Sequence, residues 1–141
     1  MASAASFYQP RLPIKKIDLK SDLIDDRWSV KVPHHVAYVV LVSLIRNSRD
    51  AIGPDGGRIY VHGEETGADT VLLHIDDTGC GIPKEDEEKI FIPGFSRKGG
   101  SGRGLPLART VLRRHNGDLF ISKAPAGVST RFTIAFPREQ V

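Results

Sequence analysis

The sequence predicts an α+β fold, a two-layer sandwich in which a mixed, mostly antiparallel sheet is covered on one face by about three helices. Segments with apolar residues at period two indicate strands, and they surround two amphipathic helix patterns without the regular alternation of a doubly wound sheet. The 141 residues suffice for one domain with one core. Seven of the 14 glycines lie between positions 79 and 104. This part of the domain can therefore adopt backbone conformations that other residues disfavour.

The composition limits the partners that such a domain would bind. Twenty Lys and Arg against 17 Asp and Glu give a net charge of +3, too small to predict a nucleic-acid or membrane surface. The single cysteine, Cys80, excludes an internal disulfide, so a reducing, cytoplasmic location is expected. No run reaches the roughly 18 apolar residues of a membrane span, and the first residues do not resemble a signal peptide. We expect the isolated domain to be a monomer.

The first half of the chain predicts a tail, two short strands and a long helix. Residues 1–13 contain small residues and prolines without a period, which predicts a flexible tail or upstream linker before a domain at 14–141. Loose alternation predicts strands at 14–19 and 28–32. A proline then opens a helical pattern over 34–52, and a Gly-Pro-Asp-Gly-Gly run closes it.

The middle of the chain predicts a hairpin and a glycine-rich loop. Period-two alternation at 58–63 and 70–77 indicates two strands joined by a polar turn. A proline followed by acidic residues indicates a short helix over 83–91. Residues 92–103 contain four glycines and a proline, which predicts a loop.

The last third predicts a helix and a second pair of strands. Apolar spacing indicates a helix over 105–115, which Asn-Gly ends. Residues 118–123 and 129–137 alternate again around a turn.

One side of the long helix changes from apolar to polar along its length. Its apolar stripe includes Val36 and Val40, and the same line then carries Ser43, Asn47 and Asp50. Two interpretations stay open for this helix alone. Its end emerges into solvent, or it lines a site in which the Asn47 amide oxygen binds a cation.

Two glycine motifs are candidates for ligand binding. Asp77, Gly79 and Gly81 end a strand, where a carboxylate could accept a hydrogen bond and glycines allow close approach of backbone to ligand. The run 99–104 precedes a helix whose free N–H groups would favour an anion. Each motif by itself is also typical of an ordinary turn or linker with no ligand.

The order of the motifs is more specific than any one of them. A polar helix stripe with Asn47 comes first, then Asp-x-Gly-x-Gly at 77–81, an aromatic and basic loop at 91–98, and Gly-x-Gly-x-Gly at 100–104. Over about residues 14–137 the chain resembles the Bergerat-type ATP-binding domain shared by histidine kinases, gyrase-type topoisomerases, ninety-kilodalton heat-shock chaperones and mismatch-repair ATPases.

Within this group the chain is most similar to histidine kinases. Residues 40–52 resemble their asparagine box, 91–98 their phenylalanine box and 100–105 their second glycine box, and 106–119 is also similar. Mitochondrial dehydrogenase kinases, which phosphorylate serine on the same fold, share the Gly-Leu-Pro-Leu-Ala-Arg of 104–109.

The resemblance implies a nucleotide site with ATP and Mg²⁺ as ligands. Asn47 would ligate Mg²⁺, Asp77 would accept a hydrogen bond from the adenine amine, and Thr130 would support that contact. Lys98 would contact the phosphates, whose charge needs cations. The residues implied to bind the nucleotide are Asn47, Asp50, Asp77, Gly79, Gly81, Ile82, Phe91, Lys98, Gly100, Ser101, Gly102, Arg103, Gly104, Leu105 and Thr130.

Two departures from the family pattern bear on the reaction. Ser43 stands one helical turn before Asn47, where histidine kinases usually carry a second Asn and the hydrolytic branches a Glu. A lone hydroxyl is a poor general base, so the sequence disfavours intrinsic ATP hydrolysis. None of the five histidines has the context of a phosphoacceptor, so the acceptor is expected on another domain and no catalytic residue is assigned here.

The sequence therefore predicts the ATP-binding catalytic domain of a sensor histidine kinase. Such a domain would transfer the γ-phosphoryl group to a histidine on a helical dimerisation domain, in a pathway that continues to a response regulator. By itself it is expected to bind nucleotide and barely react. The alternatives are a non-catalytic nucleotide-dependent interaction module of anti-sigma-like or degenerate type, a small ATPase, and a dehydrogenase-kinase-like domain.

Overall fold

The computed structural model describes residues 17–22, 30–67, 69–95 and 104–138, which form one five-stranded sheet with helices on one face. The expected tail at 1–13 lies outside these residues. The elements are β1 (Ile17–Asp22), α1 (His34–Ala51), β2 (Gly57–Glu65), β3 (Thr70–Asp77), α2 (Gly104–Arg114), β4 (Asp118–Ser122) and β5 (Thr130–Pro137).

The sheet has the strand order β1-β2-β3-β5-β4, and only the pairing of β1 with β2 is parallel. Parallel neighbours need a long crossover, and α1 lies between these two strands in the chain. The hairpin predicted from alternation is present, with Val61 opposite Ile75. The prediction of a mixed, mostly antiparallel sheet in an α+β fold is confirmed.

The core lies between the sheet and the two helices. Leu44 of α1, Leu112 of α2 and Phe132 of β5 are fully buried there. Burial of an aliphatic or aromatic side chain of this size contributes about 1.5–3 kcal/mol. The inward side chains follow period two on the strands and helical spacing on α1 and α2, as the sequence pattern predicts.

The start and end of the helices agree with the sequence signals to within one residue. Pro33 directly precedes α1, and α1 ends before Ile52. At the end of α2, Asn116 adopts φ 66° and the Gly117 N–H donates to the Leu112 carbonyl at 2.8 Å. This left-handed cap stops the helix and directs the chain into β4.

Two predicted elements are shorter than expected. The helix predicted over 83–91 is instead two single 3₁₀ turns, Lys84–Asp86 and Lys89–Phe91, because Ile90 is the only residue in these two turns that the core buries. The strand predicted over 28–32 is reduced, among the described residues, to an isolated antiparallel bridge between Val30 and Arg138.

The face of the sheet opposite the helices carries a polar cluster. Arg131 donates from Nε and Nη2 to the two oxygens of Asp76 at 2.7 and 2.8 Å, and His62 lies 3.0 Å from the same carboxylate. Burial raises the pKa of Asp76, but the hydrogen bonds from Arg131 and His62 outweigh it and hold that pKa below its usual value. This cluster ties β2, β3 and β5 together directly behind the end of β3.

Candidate functional site

Asp77 is the last residue of β3, and its side chain is almost fully buried, with 1% of its surface exposed. The Gly79 N–H donates to Oδ1 at 2.9 Å, whereas Oδ2 has no hydrogen-bond partner among the described residues. Burial raises the pKa of this carboxyl, and the Gly79 N–H and the Ser48 hydroxyl partly oppose the rise. Asp77 thus offers a buried acceptor oxygen to a donor from a ligand.

The loop after Asp77 requires glycine at two positions. A Cβ on Gly79 would lie 2.6 Å from the carbonyl oxygen of Ala51, and the Cys80 N–H donates to that same oxygen at 2.9 Å. Gly81 has φ +77°, a conformation that other residues rarely adopt. The loop is therefore pressed against the end of α1.

Thr130 is placed beside Asp77 by the register of the sheet. The two residues are direct Cα partners across β3 and β5, and Thr130 is buried. The Ser129 N–H donates to the Asp77 carbonyl at 2.8 Å, which fixes the start of β5 at this position. The expected contact of Thr130 with a nucleotide stays a prediction.

The polar stripe of α1 lies at the same site. Ser43 and Asn47 are half-buried, and Asp50 is exposed with an Arg49 nitrogen 3.0 Å from its Oδ1. A Cβ on Gly104 would lie 3.9 Å from the Ser43 hydroxyl, so the N-terminus of α2 adjoins this stripe. The stripe is thus partly covered at Ser43 and exposed at Asp50, and its interpretation as the wall of a cation site stays a prediction.

Helix α1 connects the two motifs that bracket the site. Its C-terminal turn touches Gly79, and Ser43, about 12 Å away along the helix axis, touches the start of α2. Asn47 lies between these two contacts on the same helix. The loop after Asp77 and the start of α2 thus both adjoin α1, on either side of Asn47 along that helix.

Three of the residues predicted to bind the nucleotide are held by the hydrophobic core. Ile82, Phe91 and Leu105 are partly buried and pack against the hydrophobic core. The guanidinium carbon of Arg109 lies 4.2 Å from the centroid of the Phe91 ring, and its Nε donates to Asp118 at 3.4 Å. Arg109 therefore links the turn that contains Phe91 to α2 and β4.

The predicted phosphate-binding loop falls almost entirely outside the described residues. Of this loop, Gly104 and Leu105 are described as the first residues of α2. The backbone N–H groups at the start of such a helix favour an anion. The predicted residues outside the described part of the chain are Lys98, Gly100, Ser101, Gly102 and Arg103.

Comparisons with known proteins agree with this arrangement. Residues 34–140 match the family described as "Histidine kinase-, DNA gyrase B-, and HSP90-like ATPase". The chain belongs to this family. The match spans α1, β3, α2 and β5, the elements that carry the residues described above.

The relatives of this ATPase-family domain are histidine kinases. It is 34% identical over 145 residues to the sensor kinase CckA of Brucella abortus (strain 2308), covering 91% of this chain and 15% of that protein. It is 32% identical over 109 residues to the sensory histidine kinase/phosphatase NtrB of Escherichia coli O157:H7, covering 70% of this chain and 30% of that protein. The chain thus spans less than a third of the length of these curated relatives.

Solved structures show the same fold. The catalytic domain of the histidine kinase ThkA superposes with a TM-score of 0.75 at 27% identity, covering 86% of this chain and 80% of that one. The mycobacterial sensor histidine kinase MprB gives a TM-score of 0.77 at 24% identity, covering 89% and 84%, and supports the fold alone.

Ser48 was not predicted as a site residue, yet it is fully buried, and its hydroxyl lies close enough to Asp77 to favour the charged carboxylate although it makes no well-aligned hydrogen bond in the described part of the chain. The signal was its spacing, because Ser48 continues the line of Leu41, Leu44 and Ile45, where an apolar residue is expected. A polar residue in a core stripe, next to Asn47, marks a position that packing does not explain.

Two further findings concern the described residues only. No group of three or more His, Cys, Asp or Glu side chains is arranged to hold a metal ion. None of the described helices is both long and apolar enough to cross a membrane.

Proposed function

We propose that this domain binds Mg²⁺-ATP and transfers the γ-phosphoryl group of the nucleotide to a histidine on a separate helical dimerisation domain of a sensor kinase. The phosphoryl group would then pass from that histidine to a response regulator. The observation that carries the proposal is Asp77, a buried carboxylate with one oxygen satisfied by Gly79 and the other available to a ligand. The single cysteine supports a reducing, cytoplasmic compartment for this reaction.

Asp77 binds the adenine base in this proposal. A buried carboxylate needs a donor to satisfy its remaining oxygen, and the exocyclic amine of adenine supplies one. Thr130, its partner across the sheet, flanks the same position. Gly79 lets the loop pack against the end of α1, and Gly81, with φ +77°, lets the loop backbone turn beside the base.

Asn47 is the residue that would hold the cation. Its amide oxygen is a hard ligand of the kind that suits Mg²⁺. Because Mg²⁺ takes most of its ligands from water and phosphate oxygens, the site needs no larger cluster of protein carboxylates. The bound cation would neutralise charge on the β- and γ-phosphates.

The N-terminus of α2 is the candidate for phosphate binding. The helix begins at Gly104, next to Ser43 and one turn of α1 from Asn47, and helix N-termini favour anions. Lys98 and Arg103 are proposed to add positive charge to this end. Together these groups position the triphosphate for in-line attack.

The acceptor histidine supplies the nucleophile for transfer. A ring nitrogen attacks the γ-phosphorus, the bond to the β–γ bridging oxygen breaks, and ADP leaves with that electron pair. Water is a poorer nucleophile without a base, and Ser43 offers only a hydroxyl where a carboxylate would activate it. The domain therefore favours transfer over hydrolysis.

Ser43 also favours a second candidate, a non-catalytic module that binds nucleotide and a partner protein. Incubation of γ-labelled ATP with this domain and a separately produced dimerisation domain distinguishes the candidates. Acid-labile, base-stable label on the partner supports the kinase, and acid-stable phosphoserine supports a dehydrogenase-kinase-like enzyme. Steady phosphate release without the partner supports an ATPase, and nucleotide binding with no transfer or release supports the module.

A further inference from the structure

An ion pair lies directly behind the candidate site, on the opposite face of the sheet. Asp76 and Arg131 are Cα partners across β3 and β5, and the next pair along the same two strands is Asp77 with Thr130. Successive side chains of a strand point to opposite faces of a sheet. Each member of the ion pair is therefore one peptide bond away from a residue of the proposed base-binding site.

The ion pair is held in one geometry by three contacts. Arg131 donates from Nε to Asp76 Oδ1 at 2.7 Å and from Nη2 to Oδ2 at 2.8 Å, and two parallel hydrogen bonds fix the relative orientation of the side chains. The Nε2 atom of His62 lies 3.0 Å from the same Oδ2, and the His62 ring stacks on Tyr60 with a centroid distance of 4.5 Å. The buried carboxylate of Asp76 is thus tied to both strands that neighbour β3.

Stability does not account for an ion pair at this place. Withdrawal of two charges from water offsets much of their attraction, so a buried ion pair often adds little to the net free energy of folding, although loss of one partner alone is costly. Cross-strand pairs of β-branched residues also stabilise an antiparallel sheet. What Asp76 and Arg131 add is a fixed direction, which suits a positioning role.

The position of the ion pair matters because β3 ends one residue later. At that end the Ser129 N–H donates to the Asp77 carbonyl at 2.8 Å, and the Thr78 N–H donates to the Arg58 carbonyl at 3.1 Å. Local opening of a fold begins at the ends of its elements. Opening of these two bonds would move the Asp77 carboxyl, which the proposed function places against the ligand.

The ion pair also limits the effect of Asp76 on its neighbour. Burial is the main cause that raises the pKa of Asp77, and the negative charge of Asp76 adds to the rise. The Arg131 guanidinium offsets the charge of Asp76 through its two hydrogen bonds. Two consecutive carboxyl groups can then both be ionised, as an acceptor role for Asp77 requires.

We propose that Arg131, acting through Asp76, is a positioning residue for nucleotide binding: the ion pair holds the end of β3 so that Asp77 Oδ2 meets the adenine amine. This inference rests on the proposed binding of ATP at Asp77. Arg131 and Asp76 lie on the opposite face of the sheet and would not touch the nucleotide.

The first test measures the base contact with two nucleotides. Calorimetry compares ATP with purine riboside triphosphate, which lacks the 6-amino group, for the parent and for the double variant Asp76→Thr/Arg131→Thr. This variant removes both charges together and leaves a residue pair suited to an antiparallel sheet. The parent should prefer ATP, and the double variant should lose at least about threefold of this preference while its affinity for the analogue changes by less than about twofold. An unchanged preference, or equal weakening of both nucleotides, overturns the inference.

The second test measures hydrogen exchange in the nucleotide-free domain. The Ser129 and Thr78 N–H groups should exchange at least about threefold faster in the double variant than in the parent. The Gly117 N–H, which donates to the Leu112 carbonyl at 2.8 Å, should exchange at the parent rate. Unchanged exchange at Ser129 overturns the inference. Equal acceleration at Gly117 means that the ion pair only stabilises the whole fold, which overturns it as well.

The matched control is a second ion pair on the same face of the sheet. Glu64 lies 2.7 Å from His74 Nε2, and Glu64 is four residues along β2 from Tyr60, the Cα partner of Asp76, or about 13 Å away. Glu64→Gln should keep both the preference for ATP and the exchange rate at Ser129. Effects as large as those of the double variant would mean that any change on this face reaches the site, and Arg131 would have no particular role.

Failure of this inference is distinguishable from failure of the proposed function. If the parent binds no ATP, the proposed function is wrong and the inference falls with it. If the parent prefers ATP, and Asp77→Asn removes that preference but the double variant keeps it, only the assignment of Arg131 is wrong.

Discussion

Replacement of Asp77 by Asn tests the adenine contact with little change of shape. The remaining amide oxygen can still accept the Gly79 N–H, which is 2.9 Å from Oδ1 in the parent. The position of Oδ2 then carries an NH₂ group, so two hydrogen-bond donors, this group and the adenine amine, face each other. Loss of a hydrogen bond to a buried charged group should weaken ATP binding by about 1–3 kcal/mol, or roughly 5- to 150-fold.

The same substitution should not destabilise the nucleotide-free domain. Burial raises the pKa of Asp77 in the folded state. Protonation of Asp77 therefore stabilises the fold, and this contribution is fully present below the unfolded-state pKa of about 4. It is lost as pH rises through the folded-state pKa. At pH 7 the parent thus carries a cost for burying the charge, and Asn does not. Asp77→Asn should be at least as stable as the parent at pH 7, and any advantage should shrink in acid.

Calorimetric titration with Mg²⁺-ATP and thermal unfolding at pH 7 and 4 measure both effects. Reduced affinity with retained stability supports Asp77 as the adenine acceptor. Unchanged affinity would refute the reasoning, since no other described group has been assigned to the amine. Reduced affinity with a large loss of stability would mean that the substitution damages the fold.

Three further substitutions test other parts of the domain. Asn47→Ala should reduce the difference between ATP affinities measured with and without Mg²⁺, and equal Mg²⁺ dependence in variant and parent would exclude Asn47 as a ligand. Gly79→Ala places a Cβ 2.6 Å from the Ala51 carbonyl oxygen and should lower the free energy of unfolding by about 1–3 kcal/mol in urea titrations, whereas an unchanged value would mean that the loop moves freely. Asp76→Ala leaves Arg131 without its buried partner and should cost about 3 kcal/mol at pH 7. Since the pKa of Asp76 is lowered by folding, its stabilising effect is present above pH 4 and lost as pH falls through the folded value, so parent and variant should converge in acid.

The elements with strong local patterns were predicted well. The strands at 58–63 and 70–77 alternate clearly, and β2 and β3 extend these bounds by at most two residues. The weak patterns were predicted less well. The acidic segment 83–91 has helix-start signals but buries little apolar surface, so tertiary contacts hold it only as 3₁₀ turns.

The residues of the candidate site also differ in how far the sequence predicts them. Asp77, Gly79 and Asn47 stand in motifs of consecutive residues, which is why the sequence alone indicated them. Ser48 could not be found in this way, because its place beside Asp77 depends on packing against a residue 29 positions later in the chain. A helical stripe indicates which residues face inward, but not which of them meet a polar partner.

The sequence by itself determined the two α-helices, the strands that alternate and the order of the asparagine and glycine motifs, since these depend on residues close in the chain. Only the tertiary structure decided that Ser48 is buried beside Asp77, that Thr130 stands opposite Asp77, and that Asp76 is held by Arg131 on the reverse face. These pairings depend on sheet register and on how α1 packs across it, which local periodicity does not specify.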